Sequence, residues 1–227
     1  MAEPPEHPPL RSYGRIKSRA IKPRQAALMD TLLPRIALDP AAGVDLAGAA
    51  EVWLEIGFGG GEHLAAQAQR HPDVLLLGAE PFLNGAASAL RHIDEAGIEN
   101  VRLHIGDARD LLSALPDASV DRVFILFPDP WPKARHHKRR LIQDDTVAAL
   151  LRVLKPKGRL RFATDWEDYA DWTLEWLTRT PGLSWTAERA DDWRVPPPDH
   201  VTTRYESKRL GDIDPVFLDF VKLPAPL

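Results

Sequence analysis

From residue 52 onward, short apolar runs alternate with stretches whose apolar residues recur every three or four positions. The runs Val52–Ile56, Val74–Ala79, Val101–Ile105, Val120–Phe127 and Arg159–Ala163 are rich in branched and aromatic residues and predict buried strands. Helices are predicted over Glu62–Arg70, Leu83–Ala96, a short turn near Arg109–Leu115, about Leu141–Leu154 and about Trp166–Arg179. Lys155–Gly158 reads as the turn into the fifth strand, and Leu183–Ala187 and Val216–Val221 as two closing strands. Ahead of this series, Leu28, Met29, Leu32, Leu33 and Ile36 predict one helix over Gln25–Leu38, followed by a loop at Ala41–Ala50. Such alternation predicts an α/β fold, a parallel sheet with helices on both faces.

The first 24 residues break the pattern. Met1–Pro9 is rich in proline and glutamate, and Arg11, Arg15, Lys17, Arg19, Lys22 and Arg24 follow with little acid. Residues 1–24 therefore read as a flexible basic arm, and 25–227 as one domain. The chain has no cysteine, which excludes disulfides, thiolate metal sites and a cysteine nucleophile. A formal net charge of −4 argues against indiscriminate nucleic-acid binding, so any such partner has to meet a local basic patch. No run approaches the roughly 18 apolar residues of a membrane span, and the N-terminus lacks a secretory apolar core. A cytoplasmic protein is expected.

The strand ends carry acids. The first runs into Glu55-Ile56-Gly57-Phe58-Gly59-Gly60-Gly61, where glycines admit a ligand close to the backbone and the following helix favours an anionic group. A dinucleotide fingerprint requires glycine where Glu62 stands. The spacing Gly57-x-Gly59-x-Gly61 instead resembles the S-adenosylmethionine loop of class I methyltransferases. Glu80 closes the second strand, where a carboxylate can accept both ribose hydroxyls of either cofactor. Asp107 closes the third, where methyltransferases contact the adenine amino group. Each acid is also readable alone as a turn or cap residue. Together they predict a nucleoside site, with S-adenosylmethionine ahead of NAD.

At the fourth strand end, Asp129 is held between Pro128 and Pro130, with Trp131 and Pro132 beyond. Lys133, Arg135, His136, His137, Lys138, Arg139 and Arg140 follow. An acid and an aromatic plate beside cations suggest a polyanion bearing a flat ring, and Trp131 can either stack on a base or pack under the loop. The cations are expected to meet phosphates. The two histidines lack the partners of a metal site, so no metal is expected. Asp165, after the fifth strand, can also cap the next helix.

Read in order, Glu55-Ile56-Gly57-Phe58-Gly59, Gly106-Asp107-Ala108, Phe127-Pro128-Asp129-Pro130-Trp131-x-Lys133, His137-Lys138-Arg139-Arg140-Leu141, Ala163-Thr164-Asp165 and Thr203-Arg204-Tyr205-Glu206 resemble the motifs of the bacterial tRNA (guanine-N7-)-methyltransferases. The resemblance implies a Rossmann-like class I methyltransferase, a seven-stranded and mostly parallel sheet with an antiparallel C-terminal strand. It implies Glu55, Gly57, Gly59, Glu80 and Asp107 for S-adenosylmethionine, and Asp129 as the active-site acid near the cofactor. Lys133, Asp165, Thr203, Arg204, Tyr205 and Glu206 would bind the RNA substrate, a guanosine in the tRNA variable loop (position 46). It implies no obligatory protein partner, and a monomer or homodimer. Two other readings stand beside it: a methyltransferase for another RNA base, and an RNA-binding module that has lost catalysis.

Overall fold

The computed structural model describes residues 20–224. The expected basic arm thus lies outside the described residues as far as position 19. Pro23 and Arg24 begin α1 (Pro23–Thr31), and Arg24 pairs with Asp94 at 3.4 Å and Glu95 at 3.1 Å. The single helix predicted here breaks at Leu32, and α2 (Leu33–Ile36) follows. Pro34 is the cause, because it has no N–H for the helix ladder and its ring crowds the preceding turn.

The alternation then runs β1 (Glu51–Ile56), α3 (Glu62–Arg70), β2 (Val74–Ala79), α4 (Leu83–Ala96), β3 (Val101–His104), α5 (Ala108–Ala114) and β4 (Val120–Leu126). It continues as α6 (Asp144–Val153), β5 (Leu154–Thr164), α7 (Glu167–Thr178), β6 (Leu183–Trp185), α8 (Asp191–Arg194) and β7 (Val216–Lys222). These strands form one seven-stranded sheet in the order β3-β2-β1-β4-β5-β7-β6. Strands β1 to β5 are parallel, and β7 runs antiparallel to both neighbours. The Rossmann-like reading holds, antiparallel C-terminal strand included.

Both faces of the sheet are covered, which is why its central strands carry apolar runs that point to both sides. Leu54, Val123 and Phe162 pack with Leu150 of α6 on one face, and Trp53, Leu76 and Phe124 with Leu64 and Leu90 on the other. Two predicted boundaries shift. Lys155–Gly158 belongs to β5 and forms a register shift against β4, with Lys157 at φ +67°, rather than a free turn. The helix predicted from Leu141 starts at Asp144, because the basic block takes its own 3₁₀ turn over Ala134–Arg139. Among the described residues, no helix is long and apolar enough to cross a membrane.

The polar segment between β6 and β7 is fastened to the sheet at Asp199. Its carboxylate binds Arg122 and Arg161 at 2.6 Å each, and its carbonyl accepts from Gln67 at 2.7 Å and Arg70 at 2.9 Å. Arg161, 5% exposed, also pairs with Asp219 at 2.9 Å. Burial opposes ionisation of Asp199, but the Arg161 hydrogen bond and the Arg122 charge outweigh it and hold the carboxyl at about 2.

A carboxyl depressed on folding contributes stability above its unfolded value and loses it as the pH falls through the folded value. Asp199→Asn is therefore expected to cost about 2 kcal/mol at neutral pH. The gap to the parent should close between about pH 4 and pH 2, as read by urea unfolding across that range.

Candidate functional site

The strand order reverses between β1 and β4, and open α/β sheets bind ligands in the crevice outside their carboxyl ends at such a point. A cleft of about 1040 Å³ lies there, and its lining includes Glu55, Gly57, Gly59, Glu80, Asp107 and Asp129. That volume holds a small cofactor and leaves room for a second flat group.

The glycine loop shapes one wall. Gly57 and Gly59 take φ +74° and +51°, and a Cβ at either would meet nothing within 4 Å. At these positions glycine gives the left-handed backbone and leaves the cleft open. Gly61, at φ +79°, serves packing instead, since its Cβ would lie 2.4 Å from the Cβ of Ala89 on α4.

Glu80 forms the floor, 8% exposed. One oxygen accepts from Gly59 N–H at 2.8 Å and the other from Phe82 N–H at 2.9 Å, which leaves a lone pair on each. Burial raises its carboxyl above the ordinary range. The two N–H groups counter this, while the charges of Asp129 and Glu55 add to it. Three acids from three strands thus repel one another across the cleft. A ligand carrying positive charge relieves that repulsion.

Glu55, 4% exposed, spends one oxygen on His63 Nδ1 at 2.7 Å. The Gln67 amide nitrogen contacts His63 Nε2 at 3.1 Å and also donates to the Asp199 carbonyl at 2.7 Å. One tautomer satisfies this chain: Nδ1–H donates to Glu55, and Nε2 accepts from Gln67. A buried relay therefore joins the floor of the cleft to the segment carrying Thr203–Glu206. Neither His63 nor Gln67 stood out in the sequence, because their i,i+4 spacing on α3 is that of any buried helix face. Asp107 lines the cleft but does cap α5. One oxygen accepts from Arg109 N–H at 3.0 Å and the other pairs with the Arg109 guanidinium at 2.8 Å.

On the opposite wall, β4 ends in a strained turn. Phe127 and Trp131, bulky residues on either side of Pro128-Asp129-Pro130, take φ +52° and +46°. Each such conformation costs about 1 kcal/mol or more and persists only where its surroundings enforce it. The turn lifts Asp129 into the cleft mouth, where protein atoms crowd a carboxylate that still meets solvent, and this loss of water raises it. Trp131 also lines the cleft. His136 meets the Trp131 ring edge-on at 5.9 Å, and the Arg139 guanidinium covers it at 4.9 Å. The ring is half-buried, lines the cleft and carries Arg139 on one face.

The remaining substrate residues divide. Thr203, Arg204 and Tyr205 line the cleft, the Tyr205 ring against Phe127 at 5.7 Å. Glu206 is not in the lining: it accepts from Thr203 N–H at 2.9 Å and pairs with His200 at 2.9 Å, which shapes the loop. Asp165 is 3% exposed and sits behind Tyr205, accepting from Gly211 N–H at 3.0 Å and from the Tyr205 hydroxyl at 3.5 Å. It neither caps α7 nor faces the cleft; it secures the loop that does. Lys133, Arg135 and Lys138 are exposed and Arg139 half-buried, as a polyanion-binding rim requires. Arg140 departs from this set. It is 1% exposed and points into the protein, so the expected phosphate contact fails for it. Lys22, read as part of the basic arm, also lines the cleft, as do Arg91 and Lys208, which went unread because single cations on unrelated elements leave no local pattern.

The residues present fit S-adenosylmethionine. An acidic floor suits its cationic methionine end, the paired lone pairs of Glu80 suit a vicinal diol, and the open glycine wall admits the chain between them. Among the described residues, no cluster of histidine and acidic side chains has the makings of a metal site.

Comparison with known proteins agrees in kind. Residues 49–217 match a family described as putative methyltransferase. The chain is 62% identical to a tRNA (guanine-N(7)-)-methyltransferase of Caulobacter sp. (strain K31), over 96% of this chain and 97% of that one. It is 51% identical to one of Hyphomonas neptunium (strain ATCC 15444), over 93% and 99%. A solved variant of the 16S rRNA (adenine(1408)-N(1))-methyltransferase from Catenulisporales acidiphilia, with cosubstrate SAM, has the same fold. Its TM-score is 0.56 at 20% identity, covering 84% of this chain and 95% of that one.

Two glycine substitutions separate conformation from packing. Gly57→Ala is expected to cost about 1 kcal/mol in urea unfolding, the left-handed penalty alone. Gly61→Ala adds a clash with Ala89 and should cost several times that; equal losses would disprove the packing role.

Proposed function

The chain belongs to the bacterial tRNA (guanine-N(7)-)-methyltransferases, and on that footing we propose that it methylates N7 of the guanosine at position 46, in the tRNA variable loop. S-Adenosylmethionine is the methyl donor. The observation that carries the reading is the meeting, in one cleft, of mutually repelling acids with a strained Pro-Asp-Pro-Trp turn beneath a basic rim. The cytoplasm, where tRNA is matured, is the corresponding location.

The bound cofactor supplies a methyl group on a positively charged sulfur, ready for displacement. Glu80 would take the ribose hydroxyls on its remaining lone pairs. The free oxygen of Glu55 would receive the amino group, and Asp107 would contribute toward the adenine edge with the acceptor capacity that Arg109 leaves it. Guanine N7 already carries a lone pair and no proton, so no side chain has to act as a base. What the protein must supply is alignment and exclusion of water. Asp129 serves the alignment: its carboxylate accepts from the N1–H and amino edge of guanine, and it also favours the positive charge that the ring acquires. Trp131 offers the base a stacking face, worth about 1–3 kcal/mol. Thr203, Arg204 and Tyr205 close the base side, with Asp165 and Glu206 holding their loop. Lys133, Arg135, Lys138 and Arg139 take RNA phosphates, giving affinity that falls with salt.

Incubation with labelled S-adenosylmethionine and unmodified tRNA, followed by borohydride–aniline cleavage, should give a single cut in the variable loop. Label elsewhere would keep the enzyme class and overturn the position. Cofactor binding without transfer would point to a module that only binds RNA.

Asp129→Asn should lower kcat about 100-fold while leaving tRNA affinity near the parent value. Only the ionised Asp129 accepts on both oxygens, so the parent rate should fall as the pH drops through its carboxyl. Because that carboxyl is raised, the inflection should lie above the usual aspartate value of about 3.9 and vanish in the Asn variant. An acid limb that survives the substitution assigns it to another group.

A further inference from the structure

The Pro128–Pro132 turn is poorly equipped to hold itself. Pro128, Pro130 and Pro132 have no N–H to donate, and the turn must still keep Phe127 and Trp131 in left-handed backbone. Something outside it has to enforce that shape. Arg140 reaches it from the far end of the basic block: its Nε donates to the Pro130 carbonyl at 2.9 Å. The same guanidinium pairs with the Asp168 carboxylate on α7 and lies over the Tyr169 ring at 4.8 Å and the Trp172 ring at 5.2 Å. Leu141, the next residue, donates its N–H to the Tyr169 hydroxyl at 3.1 Å. A planar fork clamped between two aromatic faces, with one donor to the turn and another to α7, fixes both at once.

We propose that Arg140 is a positioning residue for methyl transfer: it bolts the Pro130 carbonyl to α7 and thereby sets where the flanking Asp129 carboxylate and Trp131 ring stand in the cleft. It makes no contact with RNA. The proposal rests on Asp129 being the active acid, and it divides the basic run by role. Lys138 faces out toward phosphate, whereas Arg140 faces in toward geometry. Composition hides this division, since both read as members of one cationic cluster.

The conservative variant Arg140→Lys keeps the charge but cannot reach Pro130 and Asp168 together. A displacement of about 1 Å at the acid suffices for a loss of about 100-fold. Arg140→Lys is therefore expected to lower kcat by about 10- to 100-fold, with KM for tRNA within about twofold and the salt slope of tRNA binding unchanged. Its acid limb should move toward lower pH, as the loosened turn lets water back to Asp129. Asp168→Asn, which keeps the arginine and weakens its anchor, should repeat the pattern at smaller size and stands in if Arg140→Lys fails to fold. Lys138→Ala is the contrast, with a slope smaller by about one.

Parent-like kcat and acid limb in both Arg140→Lys and Asp168→Asn would overturn the proposal. A salt slope reduced by about one in Arg140→Gln, which removes the charge, would return Arg140 to the phosphates. Full turnover by Asp129→Asn is a separate failure, which removes the acid itself and with it any need to position it.

Discussion

Carboxylates brought together away from water repel one another, and the cleft is arranged around that fact. Glu80 and Glu55 are nearly buried, Asp129 is crowded, and the charges of Asp129 and Glu55 raise the cost of ionising Glu80. The fold tolerates them because their partners are fixed in advance: two backbone N–H groups on Glu80 and His63 on Glu55. The negative potential that remains is open only toward the cleft, where a cationic cofactor meets it. Binding and placement are thus one effect, since the charge that attracts the sulfonium also sets where the methyl group lies.

The second wall works by geometry instead of charge. A run of prolines trades backbone hydrogen bonds for stiffness, so its shape has to be imposed from outside. Tyr205 against Phe127, Arg139 over Trp131 and Arg140 on the Pro130 carbonyl supply that from three directions. Acid floor and stiff turn meet outside the carboxyl ends of the paired strands β1 and β4, where the strand order reverses.

How much of this was legible in the sequence depended on whether the signal was local. Strands buried on both faces announce themselves as apolar runs, and acids at their ends follow in register, so Glu55, Glu80, Asp107 and Asp129 all line the cleft as expected. Side-chain direction was not local. Arg140 looks like Lys138 in composition and differs only because Tyr169 and Trp172, about 30 residues on, enclose it. Asp165 and Glu206 face their own loop, a choice made by Gly211 and Thr203. Pro34 did carry a local signal, and the helical spacing around it masked the break.

The relay from Glu55 through His63 and Gln67 to Asp199 has a consequence for tempo. The Gln67 amide spends its donors on His63 and Asp199, while its own oxygen is buried without a partner. Were the amide to turn over, that oxygen would face two acceptors. The link therefore has a single working orientation, and one end cannot be released without disturbing the other. A surface segment tied in this way does not open on the nanosecond schedule of ordinary loops; it waits for a rearrangement inside the core. The segment carrying Thr203–Tyr205 is thereby tied to the acid floor of the cleft.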